Sequence, residues 1–152
     1  MKQPELGDIL FLDIETVSGK AKFEELSEEM QGLWAQKTKY QRGEEHSPED
    51  FYAERGGILA EFSKVVCISV ALIYRNSDGL AIKTKSFYGD DEAALLSDFA
   101  QLLNQSFSSP WSRLCAHNGK EFDFPVLARR MIINRIPLPA ALQLAGKKPW
   151  EV

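Results

Sequence analysis

Gly7-Asp8-Ile9-Leu10-Phe11-Leu12-Asp13-Ile14-Glu15-Thr16-Val17-Ser18 is the stretch whose reading decides the fold. Ile9 to Leu12 is a continuous apolar run with no helical period, entered through Gly7, and it reads as a strand buried on both faces in the middle of a sheet. Asp13 and Glu15 follow, with Ile14 between them. Side chains alternate faces along a strand, so both carboxylates project the same way. They stand at the carboxyl end of a core strand, where open α/β sheets place ligands. Two like charges in a half-buried place are costly unless something positive neutralises them. A hard divalent cation, Mg²⁺ or Mn²⁺, does so with oxygen ligands. The plainer alternative is that the strand ends here and both acids are solvated loop residues.

The 152 residues fit a single domain, 1–152, able to bury about two thirds of its unfolded surface. No apolar stretch is long enough to cross a bilayer, and Met1 to Leu12 lacks the basic start and apolar run of a signal peptide. A cytoplasmic address and no membrane partner follow as the default. Cys67 and Cys115 lie in apolar strand-like runs, which predicts buried free thiols over a bridge. The net charge of −4 argues against coating long duplexes, which takes many Lys/Arg–phosphate contacts. Charge is uneven, however: residues 1–112 carry 11 Lys+Arg against 19 Asp+Glu, and residues 113–152 carry 7 against 3. An acidic half beside a basic one is compatible with gripping a few phosphates.

Between the first strand and Glu61 lies a polar segment, read as a helical insertion at about 19–62, laid on the sheet and too short for a core of its own. Phe23, Leu26, Met30, Leu33 and Trp34 recur at three- and four-residue spacing, the mark of an amphipathic helix. Ser47-Pro48-Glu49-Asp50 offers a cap, a first-turn proline and acids, and predicts a second helix to about Glu54, stopped at Gly56-Gly57. Val65 to Tyr74 is dense in β-branched residues and reads as a strand. Arg75 to Gly79 has turn chemistry, so Leu80 to Tyr88 should pair back as a hairpin. Gly89-Asp90-Asp91-Glu92 opens a helix with acids at its positive end, whose apolar face is Leu95, Leu96, Phe99, Leu102, Leu103 and Phe107. Arg113 to Ala116 is a short strand. The expected class is α/β, a mixed sheet with helices packed on it.

That last strand delivers His117-Asn118-Gly119-Lys120-Glu121-Phe122-Asp123-Phe124-Pro125-Val126-Leu127. Pro125 suits the first turn of a helix, which puts Asp123 at or just before its amino end. Two readings of Asp123 stand here: an ordinary helix cap, or a third carboxylate for the site. Asn118 either orders the loop or touches a ligand, Phe122 is either core or pocket wall, and His117 packs or bonds locally.

Asp13-Ile14-Glu15-Thr16, followed later by Asn118-x-x-x-Phe122-Asp123-x-Pro125-x-Leu127, resembles the DEDD superfamily of 3′–5′ exonucleases. The second motif is most similar to the proofreading exonuclease domain of family B DNA polymerases and its stand-alone bacterial relatives. The resemblance implies a ribonuclease H-like fold and hydrolysis of a phosphodiester at a nucleic-acid 3′ end, single-stranded or frayed, with two divalent metal ions, Mg²⁺ or Mn²⁺. It implies that Asp13 bridges the metals, that Glu15 binds one and places the attacking water, and that Asp123 serves the other. Thr16, Asn118 and Phe122 would shape the pocket for the terminal nucleotide.

In one respect the sequence departs from that pattern. The family has a further motif, Tyr or His followed four or five residues later by Asp, near the end of the domain. Here the only acid after Asp123 is Glu151, and no Tyr or His follows His117. The expectation is a partial domain, lacking the last strand and C-terminal helix, with weakened catalysis and an exposed apolar face open to self-association. Two rivals follow. One is a ribonuclease H-like module that binds nucleic acid or protein without turnover. The other is a haloacid dehalogenase-like phosphatase, whose first motif Leu10 to Val17 also resembles and whose last is echoed by Gly89-Asp90-Asp91. In either nuclease or module, Arg129, Arg130, Arg135, Lys147 and Lys148 are candidate phosphate contacts, with a solvated helix face the plainer reading of the three arginines.

Overall fold

The computed structural model describes residues 4–146, and in it the decisive stretch is strand β1, Ile9–Ser18. Three more strands join it: β2 (Ser63–Asn76), β3 (Gly79–Tyr88) and β4 (Arg113–Cys115), in the sheet order β3-β2-β1-β4. β2 and β3 are antiparallel, whereas β4 runs parallel to β1. By backbone contacts the chain divides into two units, residues 1–15 with 65–152, and residues 16–64.

In the first unit β1 is central but not buried on both faces as its apolar run suggests. Leu10, Leu12 and Ile14 are buried, Phe11 is half-buried, and Asp13 and Glu15 are exposed. The reason is the alternation itself: the residues that face away from the core beyond Phe11 are the two acids. The hairpin is longer than its turn chemistry implies, since Arg75 pairs with Leu80 and Asn76 with Gly79, leaving Ser77 and Asp78 as a two-residue turn. Gly79 has φ +124, a conformation that favours glycine, and Asn76 Oδ1 accepts the Asp78 N–H at 3.0 Å. Edge strand β3 exposes Leu80 and Ile82, with Lys83 and Lys85 among them, a charge pattern that discourages edge-to-edge pairing.

Helix α3 (Glu92–Ser106) is capped by Asp91, whose Oδ1 accepts the Ala94 N–H at 3.0 Å. Leu95, Leu96, Phe99 and Leu103 bury its inner face, and Phe99 meets Phe87 of β3 edge-on at 5.8 Å. Helix α4 (Asp123–Ile133) buries Phe124, Val126, Leu127 and Met131. Both cysteines are free, but Cys67 is half-buried and Cys115 exposed, because β4 is a three-residue edge strand. The three arginines also part company. Arg129 and Arg135 are exposed, whereas Arg130 is turned inward to an ion pair.

The second unit has the core that the sequence reading denied it. Helix α1 (Glu28–Arg42) starts at Ser27, whose Oγ accepts the Met30 N–H, and α2 (Pro48–Arg55) starts at Ser47, whose Oγ accepts the Asp50 N–H at 3.1 Å. Trp34, fully buried, packs edge-on against Tyr52 at 5.1 Å and Phe62 at 4.9 Å, with Phe23 and Phe51 completing an aromatic cluster. Leu33, grouped with the apolar face by spacing, is instead 48% exposed. Both polar tips are satisfied: Trp34 Nε1 donates to the Pro48 carbonyl at 2.8 Å, and the Tyr52 hydroxyl donates to the Lys20 carbonyl at 3.0 Å and accepts its N–H at 3.2 Å. Aromatic rings bury a large area per residue, which is how so short a segment encloses an interior. Trp34→Ala should cost about 3–5 kcal/mol and Tyr52→Phe about 1 kcal/mol, measured as shifts in the urea midpoint followed by circular dichroism.

Candidate active site

β4 aligns with β1 through Ile9 and Arg113, Leu10 and Leu114, and Phe11 and Cys115. The ladder stops at Phe11, so β1 continues past its neighbour. β1 does not end at the acids, as its apolar run suggests, but runs on to Ser18; Asp13 lies in mid-strand, two residues past the last pair with β4, beside the loop that leaves β4.

That loop is tightly determined. Asn118 adopts φ 54, and its carbonyl accepts the N–H of Glu121 at 3.0 Å and of Phe122 at 3.2 Å. Gly119 accepts the Phe124 N–H at 2.9 Å and is buried; a Cβ there would stand 2.7 Å from Ala116 Cβ and 2.8 Å from the Phe124 ring. Only glycine allows that approach. The backbone of Asn118 thus orders the loop while its side chain is exposed, and Phe122 is half-buried.

The turn brings the helix in with Phe122 as its N-cap and Asp123 as its first helical residue. Asp123 is not a helix cap. Its carboxylate accepts hydrogen bonds from its own backbone N–H and from that of Ile14, between Asp13 and Glu15. It is only 3% exposed. Burial, the largest influence, raises its pKa above the usual aspartate range, and the neighbouring Asp13 charge raises it further. The two backbone donors and the His117 charge pull the other way without cancelling this. Desolvation therefore falls on the third acid, not on the β1 pair.

The structure thus brings Asp123 to Asp13 and to the backbone between the β1 acids. Glu15 lies on the same face of β1 as Asp13. Thr16 belongs to the second unit, where its Oγ1 donates to the Gly57 carbonyl at 2.7 Å. Carboxylate oxygens suit a hard divalent cation. Among the described residues, however, no group of three or more His, Cys, Asp or Glu side chains is placed to hold a metal ion. Lys147, Lys148 and Glu151 lie outside the described residues.

A second buried carboxylate escaped the sequence reading. Glu92, one of the acids that the sequence puts at a helix start, accepts Arg130 Nε at 2.9 Å, Arg130 Nη2 at 2.5 Å, Asn134 Nδ2 at 3.0 Å and the Val65 N–H at 2.8 Å. Burial pushes its pKa up most strongly of any single influence. Arg130, the Val65 N–H and Asn134 together outweigh it and hold the carboxyl below its usual range. Neighbouring Asp91 is committed to capping α3, which gives the phosphatase echo at Gly89-Asp90-Asp91 an ordinary structural use.

A mixed sheet whose central strand β1 runs parallel to the edge strand β4, with acids on β1 just past the end of β4, defines an α/β fold with an acidic site. The chain belongs to the family of predicted 3′–5′ exonucleases related to the exonuclease domain of PolB, whose model matches residues 58–151. That match includes Asn118, Phe122 and Asp123 and begins after the Asp13–Thr16 stretch. A solved structure of exonuclease I, one that suggests how processivity is achieved, is similar with a TM-score of 0.44 and 13% identity, over 90% of this chain. The match takes in 26% of that chain, so the present sequence spans about a quarter of its length. No curated protein matches significantly. Among the described residues no helix is long and apolar enough to cross a membrane.

Because the folded-state pKa of Asp123 is raised, the folded protein binds this proton more tightly than the unfolded chain. Its ionisation therefore subtracts stability as pH rises from the usual value of 3.8 through the higher folded value, and the penalty is complete above that folded value. Asp123→Asn should melt no lower than the parent at pH 7, and its melting temperature should fall less between pH 4 and 7. Calorimetry across that range checks both.

Proposed function

We propose that the protein is a metal-dependent 3′–5′ exonuclease that releases nucleotides from nucleic-acid 3′ ends, with Asp13, Glu15 and Asp123 as its metal-binding acids. The observation that carries this reading is the meeting of Asp123, buried and raised in pKa, with Asp13 on β1 just past the end of β4, in a chain of an exonuclease-related family. Divalent ions held there, Mg²⁺ or Mn²⁺, would supply an activated water and a charge partner for the leaving oxygen. The chain's own part is to present oxygen donors and hold them still. Asp123 is fixed by the Ile14 N–H, and Asp13 projects from a strand locked between β2 and β4. Glu15, on the same face, would orient the attacking water. The exposed Asn118 amide and the half-buried Phe122 ring border the terminal nucleotide, the ring by stacking on its base. Thr16 carries its pocket role from the family resemblance alone; within the second unit its hydroxyl donates to the Gly57 carbonyl. Free thiols fit a cytoplasmic place of action.

One observation favours a second reading, a binding module without turnover: the described residues assemble two of the acids and not a group of three. Digestion of 3′-labelled single strands in Mn²⁺ separates the two. The exonuclease should release mononucleotides stepwise, and Asp13→Ala and Asp123→Asn should each lose roughly 10²–10³-fold in rate or more, the usual cost of removing one transition-state-stabilising group. Equal rates in the parent and Asp13→Ala would overturn the assignment. Strand retention with no mononucleotide released would favour the module.

A further inference from the structure

Asp123, Leu127, Arg130 and Asn134 are spaced i, i+4, i+7 and i+11, so they form one stripe along α4. At the amino end of the stripe, Asp123 takes the Ile14 N–H of β1. At the other end, Arg130 and Asn134 both donate to Glu92, which also holds the Val65 N–H of β2 at 2.8 Å. Seven residues separate Asp123 from Arg130, about 10 Å of helix. Leu127, fully buried, lies between them. The helix is thereby tied to the sheet at two points on a single face. A turn of one residue about its axis, or a slide of one residue along it, would break both ties.

We propose that Glu92 is a positioning residue for the site: through Arg130 and Asn134 it sets the rotation and height of α4, and so the place of the Asp123 carboxylate against β1. This rests on the exonuclease reading for its functional weight, but not for its geometry. The Arg130 guanidinium gives Glu92 two parallel bonds in one plane, which fixes orientation as well as distance. Asn134 adds a bond one helical turn further on and braces itself on the Arg130 carbonyl at 2.9 Å.

The test uses the full chain in three variants. Glu92→Gln keeps an acceptor for Val65, Arg130→Lys keeps the charge without the fork, and Glu92→Leu/Arg130→Met removes both charges so that neither is left buried alone. Three readouts are taken: the melting curve, exchange of the Ile14 amide by NMR without metal, and Mn²⁺ affinity from the EPR signal of the free ion. We expect cooperative melting in the double variant, with Ile14 exchange at least about tenfold faster while Leu10 is unchanged. Mn²⁺ affinity should fall about 10–100-fold, the usual cost of losing an outer-shell partner, and less in Arg130→Lys. A folded double variant with parental Ile14 exchange would overturn the proposal, as would loss of cooperative melting in all three. A parent that binds no Mn²⁺ would sink the metal reading of the site, while Ile14 exchange still decides the role of Glu92.

Discussion

A carboxylate that is 3% exposed and lies beside another carboxylate is the constraint on which the rest of this site depends. Asp123 keeps its place because two backbone N–H groups face it, one its own and one from Ile14. Ile14 lies beyond Phe11, where the ladder with β4 stops while β1 runs on. The short strand, the glycine-dependent loop and the amino end of α4 are thus parts of one arrangement. Lengthening β4 by one pair, or adding a Cβ at Gly119, would move the helix start away from the strand that serves it.

Much of this was legible in the sequence, and for identifiable reasons. Turn chemistry at Asn76 to Gly79, the Ser47-Pro48 start and the β-branched run after Val65 are local signals, and local energetics decide those elements. The two-residue spacing of Asp13 and Glu15 put them on one face because a strand leaves no other choice. Burial was less legible, because it depends on what arrives from elsewhere in the chain. The apolar run Ile9 to Leu12 suggested two covered faces, yet the second is half open. Cys115 was read as a small buried hydrophobe and lies exposed on an edge.

The largest omissions were tertiary. No pattern in the sequence links Glu92 to Arg130 across thirty-eight positions. Arg130 looked like its exposed neighbour Arg129, although one residue of helix is a 100° turn and puts them on different sides. The insertion looked too short to enclose an interior, and spacing could not reveal that four aromatic rings from three separate stretches gather with Trp34. Each failure has the same source. Periodicity tells which face of an element is apolar and is silent on which distant polar group will meet the exception on that face.

Those exceptions give the clearest separation of structural from functional chemistry in the molecule. Glu92 and Asp123 are both acidic, both in the first turn of a helix, and both less than a tenth exposed. Burial pushes both upward, yet the net shifts are opposite. Glu92 is met by a guanidinium, an amide and a backbone donor, and its charge is fully answered within the protein. Asp123 is met by two backbone donors, a like charge and the charge of His117, and its charge is not fully answered. A chain selected for stability alone would have no reason to keep an unanswered carboxylate in its interior when asparagine would fill the same volume. A raised carboxyl pKa suits a proton donor, or a group that awaits positive charge from outside the protein, as the proposed divalent ions would supply it.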